Sequence, residues 1–402
     1  MDPKVSHVIA LLLISSFPAC LDSEEEKKFT WPEKQDSVCE ITNLESVTCM
    51  ILLEDFKTPI TSSINEESNQ LWIADLSGEI RSWDGNNDNL VGNLTEYVSK
   101  CHHEQGLLGM VFSHNFTNDG KLLLSYVAEQ NCDGQFAAPL VLADVSVENG
   151  ILNLSTLRIL TEIEQPFRNH NAGHLLSVGD GQYLWGIGDG GGSNDPNGNG
   201  QNASSALSSI YLFEYDGSQI SPVLKDPNGL DSFILHTGLR NPWKFDLDNN
   251  KGLWIADVGQ YCFEEVNYIE VWNESSNFGW SLREGKHSFS PDSDCPVGTT
   301  NPPDGITDPV IEYGHSNGQC SITGGFWMDS SFPMGEGYLY GDFCTGSVWL
   351  AEKNNNTLVE RLLFDTDLQI VGFGKGLDDE LLIFHWSGSI FEIIIDEVMN
   401  EF

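Results

Sequence analysis

The sequence predicts an all-β protein folded as one six-bladed β-propeller. Three observations predict it. The chain of 402 residues carries 39 glycines and 16 prolines, and no stretch sustains the 3.6-residue apolar period of a long helix. Short alternating or β-branched and aromatic runs recur instead, as in Lys121–Val127. A strand–glycine–strand unit also repeats: Leu71-Trp-Ile-Ala-Asp-Leu-Ser-Gly78-Glu-Ile80 resembles Leu339-Tyr-Gly-Asp-Phe-Cys-Thr-Gly346-Ser-Val348 and Leu381-Leu-Ile-Phe-His-Trp-Ser-Gly388-Ser-Ile390. Each copy reads as a hairpin, and the copies at 339 and 381 lie 42 residues apart, the pitch of a propeller blade. Six blades of roughly 60 residues, with surplus length in the loops of one face, account for the body of the chain.

Along the chain, residues 1–20 read as an export signal. Lys4 and His7 precede the apolar segment Val8–Phe17, which is too short to span a membrane. Ala19-Cys20 followed by Asp22-Ser-Glu-Glu-Glu26 has the layout of a lipoprotein signal. Cys20 is therefore a candidate for a lipid anchor, the one expected membrane attachment, with ordinary cleavage nearby as the alternative. Residues 21–38 form a polar tether and residues 39–402 the propeller. Inside it, apolar strands are expected near 107–113, 122–127, 183–187, 210–215 and 253–257.

The net charge is −41, from 19 Lys and Arg against 60 Asp and Glu. A chain so acidic repels polyanions, which excludes nucleic acid and anionic membrane surfaces as partners. Setting Cys20 aside, eight cysteines remain, an even number in an exported chain, and disulfides are expected. No CxxC pair offers a thiolate zinc site. Short sequence separations favour Cys39–Cys49, Cys101–Cys132, Cys262–Cys295 and Cys320–Cys344, although eight cysteines allow 105 pairings. Sequons at Asn93, Asn115, Asn153, Asn202, Asn273 and Asn355 suit a secreted or cell-surface glycoprotein.

The chemistry concentrates between Arg168 and Gln201. His170-Asn-Ala-Gly173 places a histidine in a small-residue turn, and imidazole titrates near neutrality, as a general base should. The strand Tyr183–Ile187 then runs into a Gly/Asp/Asn loop, Gly188–Gly200, too rich in glycine and acid for regular structure. Asp189 and Asp195 in that loop read as turn caps, and His174 as structural. Further on come Gly238-Leu-Arg-Asn-Pro-Trp243 and Leu253-Trp-Ile-Ala-Asp-Val-Gly-Gln260.

These segments, with Glu104-Gln-Gly-Leu-Leu-Gly-Met-Val-Phe112, Glu264-Glu-Val-Asn267, Asn277-Phe-Gly-Trp280 and Ile322-Thr-Gly-Gly325, resemble in order the motifs of the glucose/sorbosone dehydrogenase family. Its enzymatic members are six-bladed propellers that oxidise sugars with pyrroloquinoline quinone (PQQ). The resemblance implies hydride transfer from the C1 hydroxyl carbon of an aldose to PQQ, with an external electron acceptor and calcium assistance. It implies that His170 is the general base, and that Arg240 and Asn241 contact the quinone, Arg240 stabilising charge there. Glu104 and Thr323 fall at further cofactor positions. It implies calcium at the Gly259 and Gln260 carbonyls and a second calcium at Glu265 with the Phe278 carbonyl, all oxygen ligands for a hard cation. Where the enzymes supply bases for the cofactor's carboxylates, this chain reads Gly341–Val348 and Ser209–Glu214, without Lys or Arg. Arg240, Lys244, Arg283 and Arg168 are the remaining cations. The alternative is a non-catalytic binding propeller of the hedgehog-interacting-protein-like group.

Overall fold

Six antiparallel sheets, five of four strands and the third of five, surround a common axis in the computed structural model, which describes residues 29–395 apart from 35–38, 45, 134–136, 292–293 and 355–356. Their inner strands are Pro59–Asn65, Leu107–Phe112, Ala172–Gly179, Pro242–Leu247, Ile322–Met328 and Ile370–Lys375. We number the blades one to six in that order. Each inner strand packs on the next, and the sixth packs on the first, so the ring closes. Within a blade the chain meanders outward: blade one runs through Gln70–Asp75 and Glu79–Trp83 to Asp88–Asn93. Blade six is finished from the other end of the chain, because Val47–Leu53 pairs antiparallel with Ile390–Ile395 as its outer strand. That pairing hides the sheet edge a linear stack would leave.

The three hairpin repeats fall in blades one, five and six, and every strand expected from apolar pattern is present. In blades one, four and five the second strand ends on an aspartate for a physical reason. Asp75, Asp257 and Asp342 are buried and use their oxygens as acceptors for backbone N–H groups of the chain entering the same blade. Asp75 takes the N–H of Lys57 and Thr58, Asp257 those of Arg240 and Asn241, and Asp342 those of Cys320 and Ser321. A buried N–H without an acceptor costs about 1–3 kcal/mol, so in each of these three blades one aspartate holds two entry-loop amides that no strand satisfies. All these carboxylates lie at one end of the ring, the end where inner strands begin.

Apolar side chains fill the seams between blades. Trp254 of blade four stacks on Tyr338 of blade five with centroids 5.7 Å apart, and the Trp185 indole of blade three donates to the Ser125 hydroxyl of blade two. Trp243 reaches across the axis, its indole N–H donating to the Val371 carbonyl of blade six at 3.2 Å. Below it an axial cavity of about 440 Å3 is lined by inner-strand residues including His174, Lys244 and Asp246. The disulfides are Cys39–Cys49, Cys101–Cys132, Cys262–Cys295 and Cys320–Cys344, the pairing that short separations favour. The export signal, Cys20 and the sequon at Asn355 lie outside the described residues.

Candidate active site

His170 sits just ahead of the inner strand of blade three, and the backbone there is set by close approach. His170 and Ala172 have φ of 57° and 53°, left-handed values held by neighbouring structure. Gly188, where the next strand ends, lies so near that a Cβ on it would stand 1.9 Å from the His170 carbonyl oxygen. The turn is pinned at both sides: the His170 N–H donates to Glu104 Oε2 at 2.6 Å, and the Ala172 N–H to Asn241 Oδ1 at 3.0 Å.

The imidazole is buried, 3 % exposed, and both nitrogens are engaged. Nδ1 faces Asp189 Oδ1 at 2.8 Å, and Nε2 faces Arg240 Nη2 at 2.8 Å. A guanidinium can only donate, so Nε2 is the acceptor and Nδ1 carries the proton. Asp189 also takes the Gly191 N–H and, on Oδ2, the Trp280 indole N–H at 2.8 Å. Arg240 Cζ lies 5.6 Å from the centre of the Trp280 ring. Base, orienting carboxylate, cation and indole thus form one closed circuit contributed by blades three and four. Asp189 and Trp280 were not marked as site residues by their motifs. Asp189 does cap its glycine turn, as expected, but its other partner is the base.

Arg240 Nη1 donates to the Val258 carbonyl at 3.0 Å and the Gly259 carbonyl at 2.6 Å. A cationic side chain therefore already rests on one of the two carbonyls assigned to calcium. Gln260 has another duty, its side-chain amide exchanging two hydrogen bonds with Asn194 and so tying the glycine loop to blade four. Of the other cofactor positions, Glu104 lies against His170, whereas Asn241 spends its Oδ1 on Ala172 and buried Thr323 donates its hydroxyl to the Ile370 carbonyl. Both of these act as backbone ties between blades. The expected cations also disperse. Arg283 is paired with Asp308, Lys244 lines the axial cavity, where burial lowers its pKa to about 7, and Arg168 donates to the Cys132 carbonyl. Arg240 is in direct contact with His170.

Glu265 lies across the strand pair from Asp257. Its oxygens accept from Asn267 Nδ2 at 2.8 Å and the Gly285 N–H at 2.9 Å. Burial, and then the charge of Asp257, raises its pKa to about 8; burial raises Asp257 likewise. The pair retains a proton at neutral pH. Asn267 Oδ1, buried beside them, has no hydrogen-bond partner. Two carboxyls reluctant to ionise and an orphan carbonyl oxygen suit a bound hard cation. The Phe278 N–H donates to the Thr237 carbonyl and its ring packs on His236.

The family model "Glucose / Sorbosone dehydrogenase" matches residues 56–366, and the chain belongs to that family, whose structurally known members include PQQ-type sugar oxidoreductases. Among solved structures it is similar to the PQQ-bound aldose sugar dehydrogenase of Streptomyces coelicolor, with TM-score 0.66 and 16% identity over 86% of this chain and 98% of that one. It is similar too to the apo-form of the soluble aldose sugar dehydrogenase of Escherichia coli, with TM-score 0.69 and 18% identity over 87% and 99%. At those identities the likeness establishes the fold. The HIPL1 protein of Arabidopsis thaliana is 29% identical over 312 residues, 61% of this chain and 44% of the relative. The chain thus spans under half the length of the curated relative it matches.

Proposed function

We propose that the chain oxidises an aldose at its C1 hydroxyl in a PQQ- and calcium-dependent reaction and passes electrons to an external acceptor. The observation that carries this reading is the His170–Asp189 pair with Arg240 on the free nitrogen of the ring. Asp189 holds the proton at Nδ1 and so keeps the lone pair at Nε2, where a base must present it. Arg240 covers that lone pair. Catalysis requires the guanidinium to turn off Nε2 toward an electron-rich oxygen, which uncovers the base and brings a cation to the place where negative charge develops. The residues present fit the reacting end of a quinone: Arg240 would hold its oxygen, and Glu104 lies at the same turn. PQQ, when bound, supplies the hydride acceptor. This chain's own part is to orient the sugar hydroxyl at His170 and remove its proton. For calcium, Glu265, Asp257 and Asn267 Oδ1 are the donors the arrangement favours. The four disulfides support export to an oxidising compartment, secreted or held at the cell surface through Cys20.

A second reading is supported by a separate observation. PQQ has three carboxylates to neutralise, whereas Arg283 is paired with Asp308 and Lys244 lines the axial cavity, and the HIPL1 relative exceeds the two dehydrogenase structures in identity. In this reading the propeller binds a partner and performs no redox step. Titration of the purified protein with PQQ and saturating Ca2+, followed by dye reduction with a panel of aldoses, separates the two. Sugar-dependent dye reduction supports the dehydrogenase; failure to bind PQQ under these conditions overturns it in favour of the binding propeller.

A further inference from the structure

We propose that His102, His103 and Glu104 bind a divalent transition-metal ion, of the zinc and copper(II) class, at the rim of the His170 site. The three residues are consecutive, yet one ligand atom from each lies within 4.8 Å of the other two. The local fold produces this convergence. Cys101, bonded to Cys132, fixes one end of the segment. The Gln105 N–H donates back to the His102 carbonyl at 3.0 Å and closes a turn. At the far end, the Leu107 N–H donates to the Leu76 carbonyl as the inner strand of blade two begins. Within the turn the two imidazoles lie against each other, ring centres 3.9 Å apart and planes tilted by 32°, and His103 Nε2 is 3.7 Å from Glu104 Oε1.

Donor chemistry selects the ion. Two imidazole nitrogens and one carboxylate suit zinc, copper(II) and nickel better than calcium or magnesium, which take oxygen sets. Bonds of about 2.0–2.2 Å to a four-coordinate ion place its ligands roughly 3.4 Å apart, so ligand atoms now within 4.8 Å of one another have to draw together and the rings to turn their nitrogens toward one point. His103, with 56% of its side chain exposed, is free to make that adjustment. Coordination costs His102 one bond, the 3.2 Å contact that its Nδ1 accepts from the Glu104 N–H. The three protein ligands leave a position open to solvent, and a chain of charge −41 draws cations to its surface.

Glu104 gives the site a connection. Its Oε1 faces the histidines while its Oε2 accepts the His170 N–H. An ion on Oε1 therefore pulls on the carboxylate that pins the turn of the candidate base. This inference rests on the turn geometry alone and holds under either reading of the function.

The test is titration of the untagged exported chain with Cu2+, followed by calorimetry and electron paramagnetic resonance, with Zn2+ as competitor. Loss of even an outer partner costs a metal site roughly 10–100-fold in affinity, so loss of a ligand should cost at least ten-fold. We expect one Cu2+ per chain with a nitrogen-coupled spectrum and displacement by Zn2+. We expect His103→Ala, at an exposed position that folding does not need, to weaken binding at least ten-fold and reduce the nitrogen coupling. His114→Ala, at another exposed histidine, should change neither. Equal binding by wild type and His103→Ala, or a wild-type spectrum without nitrogen coupling, overturns the assignment.

Discussion

The Asp257–Glu265 pair makes the stability of the protein depend on pH and calcium in a way that can be worked out. Both carboxyls are buried and raised, Glu265 to about 8 and Asp257 to about 7, whereas in the unfolded chain each titrates near 4. Between these values the native state holds protons that the unfolded state has released. Stability is therefore fully present below about pH 4 and is lost as pH rises through the native pKa values. Each retained proton contributes a slope of about 1.4 kcal/mol per pH unit. Both groups hold protons at pH 5.5, so moving from pH 5.5 to 7.5 in chelator should cost on the order of 4 kcal/mol. Calcium on the deprotonated pair should return about 2.7 kcal/mol at a hundred-fold excess over its Kd. Other groups titrate in this range, among them Asp246, raised by burial to about 6, so the quantity to measure is the difference between wild type and Glu265→Gln. The amide keeps the shape and cannot ionise. Non-reducing urea unfolding, followed by tryptophan fluorescence at several pH values with chelator and with Ca2+, gives both slopes. Glu265→Gln should show a shallower fall toward alkaline pH and no calcium response. Parallel curves for the two proteins, or an equal calcium response, would refute the reasoning.

Under the dehydrogenase reading, His170→Ala should lower turnover by roughly 10²–10⁴-fold with PQQ binding largely kept, the contribution of a positioned base; equal dye reduction by variant and wild type contradicts the assignment. Asp189→Asn sets an amide against the Gly191 N–H, the Trp280 indole and the His170 Nδ1 proton, so at least one buried donor loses its acceptor. We expect a loss of about 1–3 kcal/mol in urea unfolding, and an unchanged midpoint would count against the circuit. Gly188→Ala puts a methyl 1.9 Å from the His170 carbonyl oxygen, which requires the turn to move; the measurable outcome is altered Trp280 fluorescence and weakened PQQ binding, and a variant indistinguishable from wild type in both would show that the close approach is not needed. Thiol counting on denatured, unreduced protein should find the eight body cysteines oxidised, and four or more free thiols would contradict the bridges.

What was legible in the sequence is local in origin. Strand–glycine–strand hairpins are encoded within ten residues, and so could be recognised at 71, 339 and 381 and located in separate blades. The disulfides were legible because each closes a span of 33 residues or fewer. The turns carrying His170 and Arg240 could be marked as chemical by their residue types. Where each side chain goes was not legible, because ring closure decides it. Arg240 is 70 residues from His170, and only the seating of blade four against blade three brings its guanidinium onto Nε2 and the Gly259 carbonyl. Trp280 is 91 residues from the Asp189 oxygen that it meets. Asn241 and Thr323 sit at cofactor positions of the motifs, yet each has a closer demand, a backbone group of the adjoining blade that no strand satisfies.

The acid content and the site are parts of one design problem. Entry loops at the end where inner strands begin expose amides outside any sheet ladder, and this chain meets them with carboxylates. Glu284 Oε1 alone faces the N–H groups of Gln260, Tyr261 and Cys262, while Glu264 Oε2 takes those of Gly259 and Ile322. Such carboxylates are placed by backbone need, and they gather acidic side chains at this face of the ring. Arg240 is the cation that this field holds in place: its backbone N–H meets Asp257, its guanidinium meets two carbonyls, and it stands across His170 from Asp189. An anionic ligand has to compete for that one guanidinium against an acidic surround, whereas a divalent cation is drawn to the same face by the sum of its charges. Cation binding at Glu265 and at Glu104 therefore needs only the electrostatics already present. Binding of a trianionic quinone needs Arg240 to change partners, and that step decides whether His170 ever acts as a base.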